Sequence, residues 1–311
     1  MKKSYLNSAA LSGMALFVGA VVSLSSCSAD AEEVMNNSSQ LSGLCAPVRV
    51  HVSDFSITMG DFASGGQTRA AVDPTDYNGV GVLTLAFYSG SDEVLKTTQI
   101  KSDHTTYTNF GEFSFTLAAG TYTMVALGYY YYAEDVFTLT SPTLAAFTSE
   151  RPRETFCLTQ SVTVSNGIPL DLDVTLNRIS AKLRILSTDG RPAAAKKIRT
   201  TYDKGAKSFN PTTGLATVDT GFSLTNNPSS AAGATIDVGS YPFLYSDEET
   251  MTITIQALDA DDNVLYTKIV PNVPLQRNRE TTLTGEIFSI TPSAAGFRLE
   301  TDWITGSTVN F

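Results

Sequence analysis

Alternation of apolar and polar residues recurs along most of this chain. From Val48 to Ile57 apolar side chains occupy every second position apart from one skip. A period of two predicts half-buried β-strands. Similar short runs predict further strands at residues 81–87, 94–100, 113–117, 122–127, 154–158, 160–165, 170–176, 181–186, 197–202, 250–258 and 264–270. Turn residues separate these runs, so we predict an all-β fold built as an antiparallel sandwich.

Two segments of the chain share one pattern. Leu83–Ile100 and Ile253–Val270 each contain an apolar strand, an acidic turn and a return strand that begins with Val-Leu. This weak similarity predicts two sandwich domains, residues 45–166 and 167–311, that meet near Asn166-Gly167. A single large sandwich with an insertion is the alternative. The Ala-rich, basic segment 191–197 predicts one turn of helix.

Residues 1–26 have the pattern of a secretory signal peptide, with Lys2 and Lys3 ahead of the apolar run Leu11–Leu24. Leu24-Ser25-Ser26-Cys27 resembles a bacterial lipobox, which predicts that Cys27 is acylated and becomes the mature amino terminus. The apolar run is shorter than the ~20 residues that a spanning helix needs. An uncleaved transmembrane anchor and an ordinary signal peptide remain alternatives. Residues 27–44 are small, polar and acidic, and we interpret them as a lipidated tether to a membrane.

Composition limits the classes of partner. The 311 residues have 42% hydrophobic content and a mean hydropathy of −0.01, which fits a globular body. The formal charge of −10 opposes binding to nucleic acid.

Candidate catalytic chemistry is sparse. The chain has two histidines, His51 within an alternating strand and His104 in a polar segment. No Gly-x-Ser-x-Gly motif accompanies them, and no spacing of His, Cys and carboxylates matches a metal site. We therefore predict a protein that is not an enzyme and has no cofactor. The cluster Asp259–Asn263 fits a hairpin turn better than a calcium loop, because an EF-hand needs a glycine and a glutamate at fixed later positions.

Two further groups of residues have alternative interpretations. In an oxidising compartment Cys45 and Cys157 either form a disulfide or remain two separate buried thiols. Tyr129, Tyr130, Tyr131 and Tyr132 are consecutive. On a strand they would face both sides, so they form either a binding surface for a partner or glycan, or the packing of an edge strand.

Several segments in a fixed order resemble the fimbrillin family of Bacteroidetes type V pili, including its anchor-type relatives. They follow the lipobox and cover most of the mature chain. They are VRVHVSDF at 48–55, TRAA at 68–71, LTLAFYSGSDEVL at 83–95, residues 119–126, LNRISAKLRI at 176–185, VPLQRNRETTLTGEIF at 273–288 and a closing strand with Trp303. The acidic residues after Cys27 also resemble the export tag of Bacteroidetes surface lipoproteins.

The resemblance implies two tandem transthyretin-like β-sandwich domains. It also implies a lipoprotein precursor that an arginine-specific protease trims, here at Arg69-Ala70. Loss of the first strand would open a groove that a strand of another subunit fills, the mode called donor-strand complementation. The family's donor is the carboxy-terminal segment, here within Phe297–Phe311.

We therefore expect a non-enzymatic fimbrial subunit at the surface of the outer membrane, which supports adhesion and binds other fimbrial subunits. A lipid-retained anchor or tip subunit is one alternative. A surface glycan-binding lipoprotein is another.

Overall fold

Strands make up all the regular structure in the part of the chain that the computed structural model describes, namely residues 45–60, 67–103, 105, 107–132, 137–148, 151–289 and 298–301. The first ten strands are β1 Cys45–Gly60, β2 Gln67–Val72, β3 Val82–Ser89, β4 Asp92–Ile100, β5 Glu112–Ala118, β6 Gly120–Tyr129, β7 Phe137–Ser141, β8 Leu144–Phe147, β9 Thr155–Val164 and β10 Leu170–Arg178. The next ten are β11 Lys182–Ser187, β12 Lys197–Tyr202, β13 Ser208–Asn210, β14 Leu215–Ala216, β15 Phe222–Asn226, β16 Asp237–Ser240, β17 Glu248–Leu258, β18 Val264–Gln276, β19 Glu280–Gly285 and β20 Arg298–Thr301. The predicted all-β class is confirmed.

The first sheet has the order β2-β1-β10-β9-β6-β3-β4, and β5 also pairs with β1. β9 and β10 pair at only two positions, so the sheet turns a corner there. The two resulting layers face each other across one apolar core. Its fully buried members include Val50, Phe55, Leu85, Met124 and Phe156.

The second half of the chain forms another two-layer arrangement. One sheet has the order β16-β11-β19-β20 and the other β15-β12-β17-β18. Their inward side chains share a second core, which includes Leu183, Ile198, Ile253 and Leu283. Whether these layers have a tandem transthyretin-like topology stays a prediction.

A third core joins the two halves. The small sheet β14-β13-β8-β7 combines strands from both, since β8 pairs with β13. Aromatic rings fill the space beside it, and Phe147 and Phe209 each lie within 6.2 Å of the Phe243 ring centre. This shared core makes the two halves one packed unit.

The expected boundary at Asn166-Gly167 does not separate the sheets. Leu170–Arg178, which follows it, lies inside the first sheet between β1 and β9. The chain passes to the second half only after Arg178. The cause is the pairing of β10 with β1, a contact between segments more than 100 residues apart that periodicity cannot reveal.

The run 181–186 is a strand, as predicted, and it pairs with β16 and β19 and not with the preceding strand β10. Two other local expectations were wrong. Residues 191–197 form a turn and the start of β12 without a helix. The two runs predicted between 154 and 165 form one strand, β9.

Candidate functional site

The first strand, β1, occupies an interior position in the first sheet. Residues Val48–Ser56 pair in parallel with β10. On the other edge, Cys45–His51 pair antiparallel with β5, and Phe55–Gly60 pair with β2. β1 therefore lies in a groove whose walls are β10 and β5, and we take this groove as the candidate site.

The inward side chains of β1 fill the first core. Five of them are at most 1% exposed, namely Ala46, Val48, Val50, Val52 and Phe55. The register shifts between Val52 and Asp54, which is a β-bulge. The bulge preserves the inward direction of Phe55 despite the skip in the sequence pattern.

The Phe55 ring sits in an aromatic cluster at the end of the groove. Its centre lies 4.8 Å from that of Phe156 and 5.8 Å from that of Tyr77. Gly128 on β6 leaves room for it, because a Cβ there would lie 3.0 Å from Phe55 Cε1. This ring is the largest apolar group that β1 contributes to the core.

The outward side of β1 is basic, whereas the groove walls are acidic. His51 Nδ1 lies 3.1 Å from Asp173 Oδ1 on β10, and its Nε2 lies 3.5 Å from Glu112 Oε1 on β5. Two residues earlier, Arg49 is in register with Asp171. Opposite charges on adjacent strands contribute about 0.2–1 kcal/mol per pair.

The predicted cleavage bond, Arg69-Ala70, lies within the strand β2. Arg69 is in register with Thr58, and Ala70 with Ile57. Among the described residues β2 pairs only with β1, so it is an edge strand. One segment, residues 61–69, thus connects β1 to the bond at which the protease is expected to act.

The Cys45–Cys157 disulfide does not form in this structure. Cys157 is a free, buried thiol that donates to the carbonyl oxygen of Pro211 at 3.3 Å. It pairs with Asn177, which is in register with Ser56 at the far end of β1 from Cys45. At ~3.3 Å per residue, the length of β1 holds the two cysteines on the order of 30 Å apart, far beyond disulfide reach. No bond to Cys157 therefore holds β1 in the groove.

The Cys157 thiol should be chemically inert in the folded chain. Burial raises its pKa from 9.0 to about 12. In a chain with Cys27 and Cys45 replaced by serine, we expect a thiol reagent to modify Cys157 only after unfolding. Because the unfolded thiol ionises near pH 9, stability is fully present below that pH and falls between pH 9 and about 12. Urea titrations should show a smaller loss between pH 9 and 10 for Cys157→Ala. Fast labelling of the native thiol would contradict the buried placement.

A buried ion pair closes the Phe55 end of the groove. Arg178 at the end of β10 and Glu154 before β9 are 4% and 7% exposed, and Arg178 Nε lies 2.7 Å from Glu154 Oε1. Tyr77 donates to the same carboxylate oxygen at 2.7 Å, and its pKa is raised, chiefly by burial. Arg178 also donates to Asn278 in the second half at 3.1 Å, so the network links both halves.

The four tyrosines do not share one role. Tyr129 ends β6 and packs in the interior, with its ring centre 4.4 Å from that of Phe137. Tyr130, Tyr131 and Tyr132 follow the strand and are 42%, 40% and 46% exposed. The Arg153 guanidinium lies 5.6 Å from the Tyr130 ring centre and 4.8 Å from that of Tyr132. Because the last three lie beyond the end of β6, the alternation of faces that was expected on a strand does not apply to them. A binding role for them stays a prediction.

The acidic cluster after β17 is a turn. The Asp259 carboxylate accepts a hydrogen bond from the Asn263 side-chain amide at 3.0 Å and from the backbone N–H groups of Asn263 and Asp261 at 2.9 Å. These bonds lower its pKa, the one from the Asn263 side chain most of all. Asp262 has a positive φ of 66°, as tight turns require. Among the described residues no cluster of His, Cys, Asp or Glu has the geometry to hold a metal ion.

Several predicted features lie outside the described residues. These are the signal peptide, Cys27, the tether, His104, Trp303 and residues 302–311. Of the expected carboxy-terminal donor, Arg298–Thr301 is described, and it pairs with β19 as β20. Within the described ranges no helix is long and apolar enough to cross a bilayer.

Sequence reasoning missed the acidic walls of the groove and the Arg178 network. The acidic walls could have been predicted from the sequence. The pattern LDLDV in β10 places Asp171 and Asp173 on the polar face of that strand, and the pattern VRVHV in β1 places Arg49 and His51 on the polar face of β1. The complementary charges of these two alternating strands could have suggested their pairing. The Arg178 network had no local signal.

Among curated proteins none matches this sequence. A candidate adhesin from Bacteroides ovatus has 10% identity and a TM-score of 0.46, with 72% of this chain and 77% of that chain covered. The fimbrial anchor protein Mfa2 from Porphyromonas gingivalis has 10% identity and a TM-score of 0.42, with 77% and 90% covered. A candidate polysaccharide binding protein from Bacteroides thetaiotaomicron has 9% identity and a TM-score of 0.44, with 78% and 92% covered.

The family assignment comes from a sequence model. The model described as "Family of unknown function (DUF6562)" matches residues 48–296, from Val48 in β1 to the segment before β20. Because this match spans well over half of the sequence, the chain belongs to the DUF6562 family.

Proposed function

We propose that this protein is a non-enzymatic fimbrial subunit that supports adhesion and is assembled by exchange of its first strand. The observation that carries the proposal is the position of β1. It is an interior strand, its inward row fills the first core, and one segment, residues 61–69, connects it to the Arg69-Ala70 bond. The resemblance of the sequence to fimbrillins supports the same function.

The physical consequence of removing β1 explains why exchange would follow. A cut after Arg69 leaves only non-covalent contacts between β1 and the later strands, since Cys157 is a free thiol. Departure of β1 exposes the ladder edges of β10 and β5 and the apolar core between them. Each ladder hydrogen bond is worth about 0.5–1.5 kcal/mol, and each buried valine or phenylalanine about 1.5–3 kcal/mol. An empty groove is therefore unstable, and a strand of a neighbouring subunit restores both terms.

In this proposal Cys27 carries the lipid during export to the outer-membrane surface, and an arginine-specific protease removes the segment up to Arg69. A subunit that is never cut would retain the lipid and serve as an anchor. Arg69 stands on β2, which pairs with β1 alone among the described strands. We expect a protease to approach the edge of β2 that is not paired.

The test is cleavage of the non-lipidated chain with an arginine-specific protease, with the Arg69→Gln variant as control. We expect mass spectrometry to show a cut after Arg69 and a lower urea midpoint for the first half once the released segment is removed. A synthetic peptide of residues 46–57 added to the cut chain should restore the midpoint. If the peptide fails to restore it, or if the Arg69→Gln variant loses the same segment, strand exchange at this groove is wrong.

A further inference from the structure

The walls of the β1 groove differ in charge from the strand that they hold. Asp171 and Asp173 stand on β10, and Glu112 stands on β5. All three face the same side of the sheet as Arg49 and His51, as the register of the pairs requires. The groove therefore presents an acidic rim above an apolar floor.

His51 is placed between two of these carboxylates. Its two ring nitrogens face Asp173 and Glu112 at 3.1 and 3.5 Å. Both neighbours of the ring are carboxylates, so a cationic side chain at this position of the strand has two counter-charges within reach. The side chains are 44%, 82% and 48% exposed for His51, Asp173 and Glu112, so bulk salt can screen the contacts.

We infer that the groove selects an incoming strand by charge, and that its partner is a strand from a different subunit with basic residues at two alternate outward positions. This inference rests on the proposed function. At the positions that Val48, Val50 and Val52 occupy in β1, the side chains of such a strand are apolar and no larger than valine, because those positions are fully buried. A larger residue there would overpack the core.

The carboxy-terminal segment of a second copy fits this requirement poorly. If the row with the apolar residues Phe297, Leu299 and Trp303 faced inward, the outward row would be Arg298, Glu300 and Asp302. Two acids would then stand against the acidic rim, and like charges on adjacent strands are destabilising. In addition, Arg298–Thr301 already pairs with β19 of its own chain. Self-polymerisation through this segment is thus disfavoured, and the groove acts as a filter for a heterologous partner.

The experiment uses the full non-lipidated chain with a site-specific protease sequence in place of residues 61–66. After cleavage, fluorescent peptides compete with β1 in mild urea, and anisotropy gives Kd. The three probes are a copy of residues 46–57, the same peptide with Arg49→Glu and His51→Glu, and a copy of residues 296–307. We expect the charge-reversed peptide and the carboxy-terminal copy to bind about tenfold more weakly or worse at low salt. Salt at about 0.5 M should narrow the difference between the first two.

A variant of the groove makes the test reciprocal. With Asp171→Lys and Asp173→Lys, both at exposed positions, the preference should invert toward the charge-reversed peptide. Equal affinity of the two peptides, or a preference that the groove variant does not change, overturns charge selection and leaves strand exchange standing. Failure of every peptide to enter, including the native copy, overturns strand exchange as well.

Discussion

Replacing Arg178 with alanine is expected to lower the free energy of unfolding by about 3–5 kcal/mol, because it leaves the buried Glu154 carboxylate without its counter-charge. The 2.7 Å contact between Arg178 Nε and Glu154 Oε1 is almost fully shielded from solvent. The substitution also removes the hydrogen bonds that Arg178 donates to Tyr77 at 2.9 Å and to Asn278 at 3.1 Å. We expect a lower urea midpoint and weaker coupling between the two halves.

Arg184 provides the matched control for this experiment. It lies on β11 and forms an exposed pair with Asp237, whose Oδ2 is 2.5 Å from Arg184 Nη2. Surface pairs of this kind contribute about 0–1 kcal/mol, so Arg184→Ala should change the midpoint little. Similar losses for both variants would show that the Arg178 network adds no more than a surface contact.

The second large effect is expected from Phe55→Ala, which should cost about 3–5 kcal/mol. Phe55 is fully buried, and the cavity left by its ring would lie between Phe156, Tyr77 and Gly128, at the end of the groove. The close-packed walls of two sheets can collapse only in part onto such a space. Urea unfolding of the intact chain measures the loss.

The same substitution bears on exchange of β1. In the chain cut after residue 60, β1 should leave faster when alanine replaces Phe55, since each 1.4 kcal/mol lost is about a tenfold change in an equilibrium constant. Arg49→Ala on the same strand is the control, and its expected cost is at most about 1 kcal/mol because the side chain is exposed. If Phe55→Ala and Arg49→Ala release the strand equally fast, the apolar row does not hold β1 in place.

The two large predictions concern neighbouring groups and should not be additive. The Arg178 guanidinium lies 5.0 Å from the ring centre of Phe156, and that ring contacts Phe55. Residues that share a partner commonly show coupling energies of about 0.5–3 kcal/mol. Combining the two variants therefore measures how far the ion pair supports the aromatic cluster at the end of the groove.

The sequence alone predicted the elements that depend on local pattern. Alternation in Val48–Val52 and Thr250–Leu258 identified β1 and β17, because an extended chain places successive side chains on opposite faces. Turn residues located the hairpin of β3 and β4 for the same local reason. The sequence also showed the resemblance to fimbrillins and, through that resemblance, predicted cleavage after Arg69.

Tertiary structure alone decided what depends on pairing between distant segments. It placed β10 beside β1, which moved the change of sheets from Asn166-Gly167 to the residues after Arg178. It also set Cys157 far from Cys45, put Arg69 in a strand, and brought Glu112 and Asp173 to either side of His51. Periodicity reports which face of a strand is buried, but not which strand lies next to it. The pairing partners are chosen by the fit of side chains in the shared core and by charges across the ladder, and both exist only once the chain has folded.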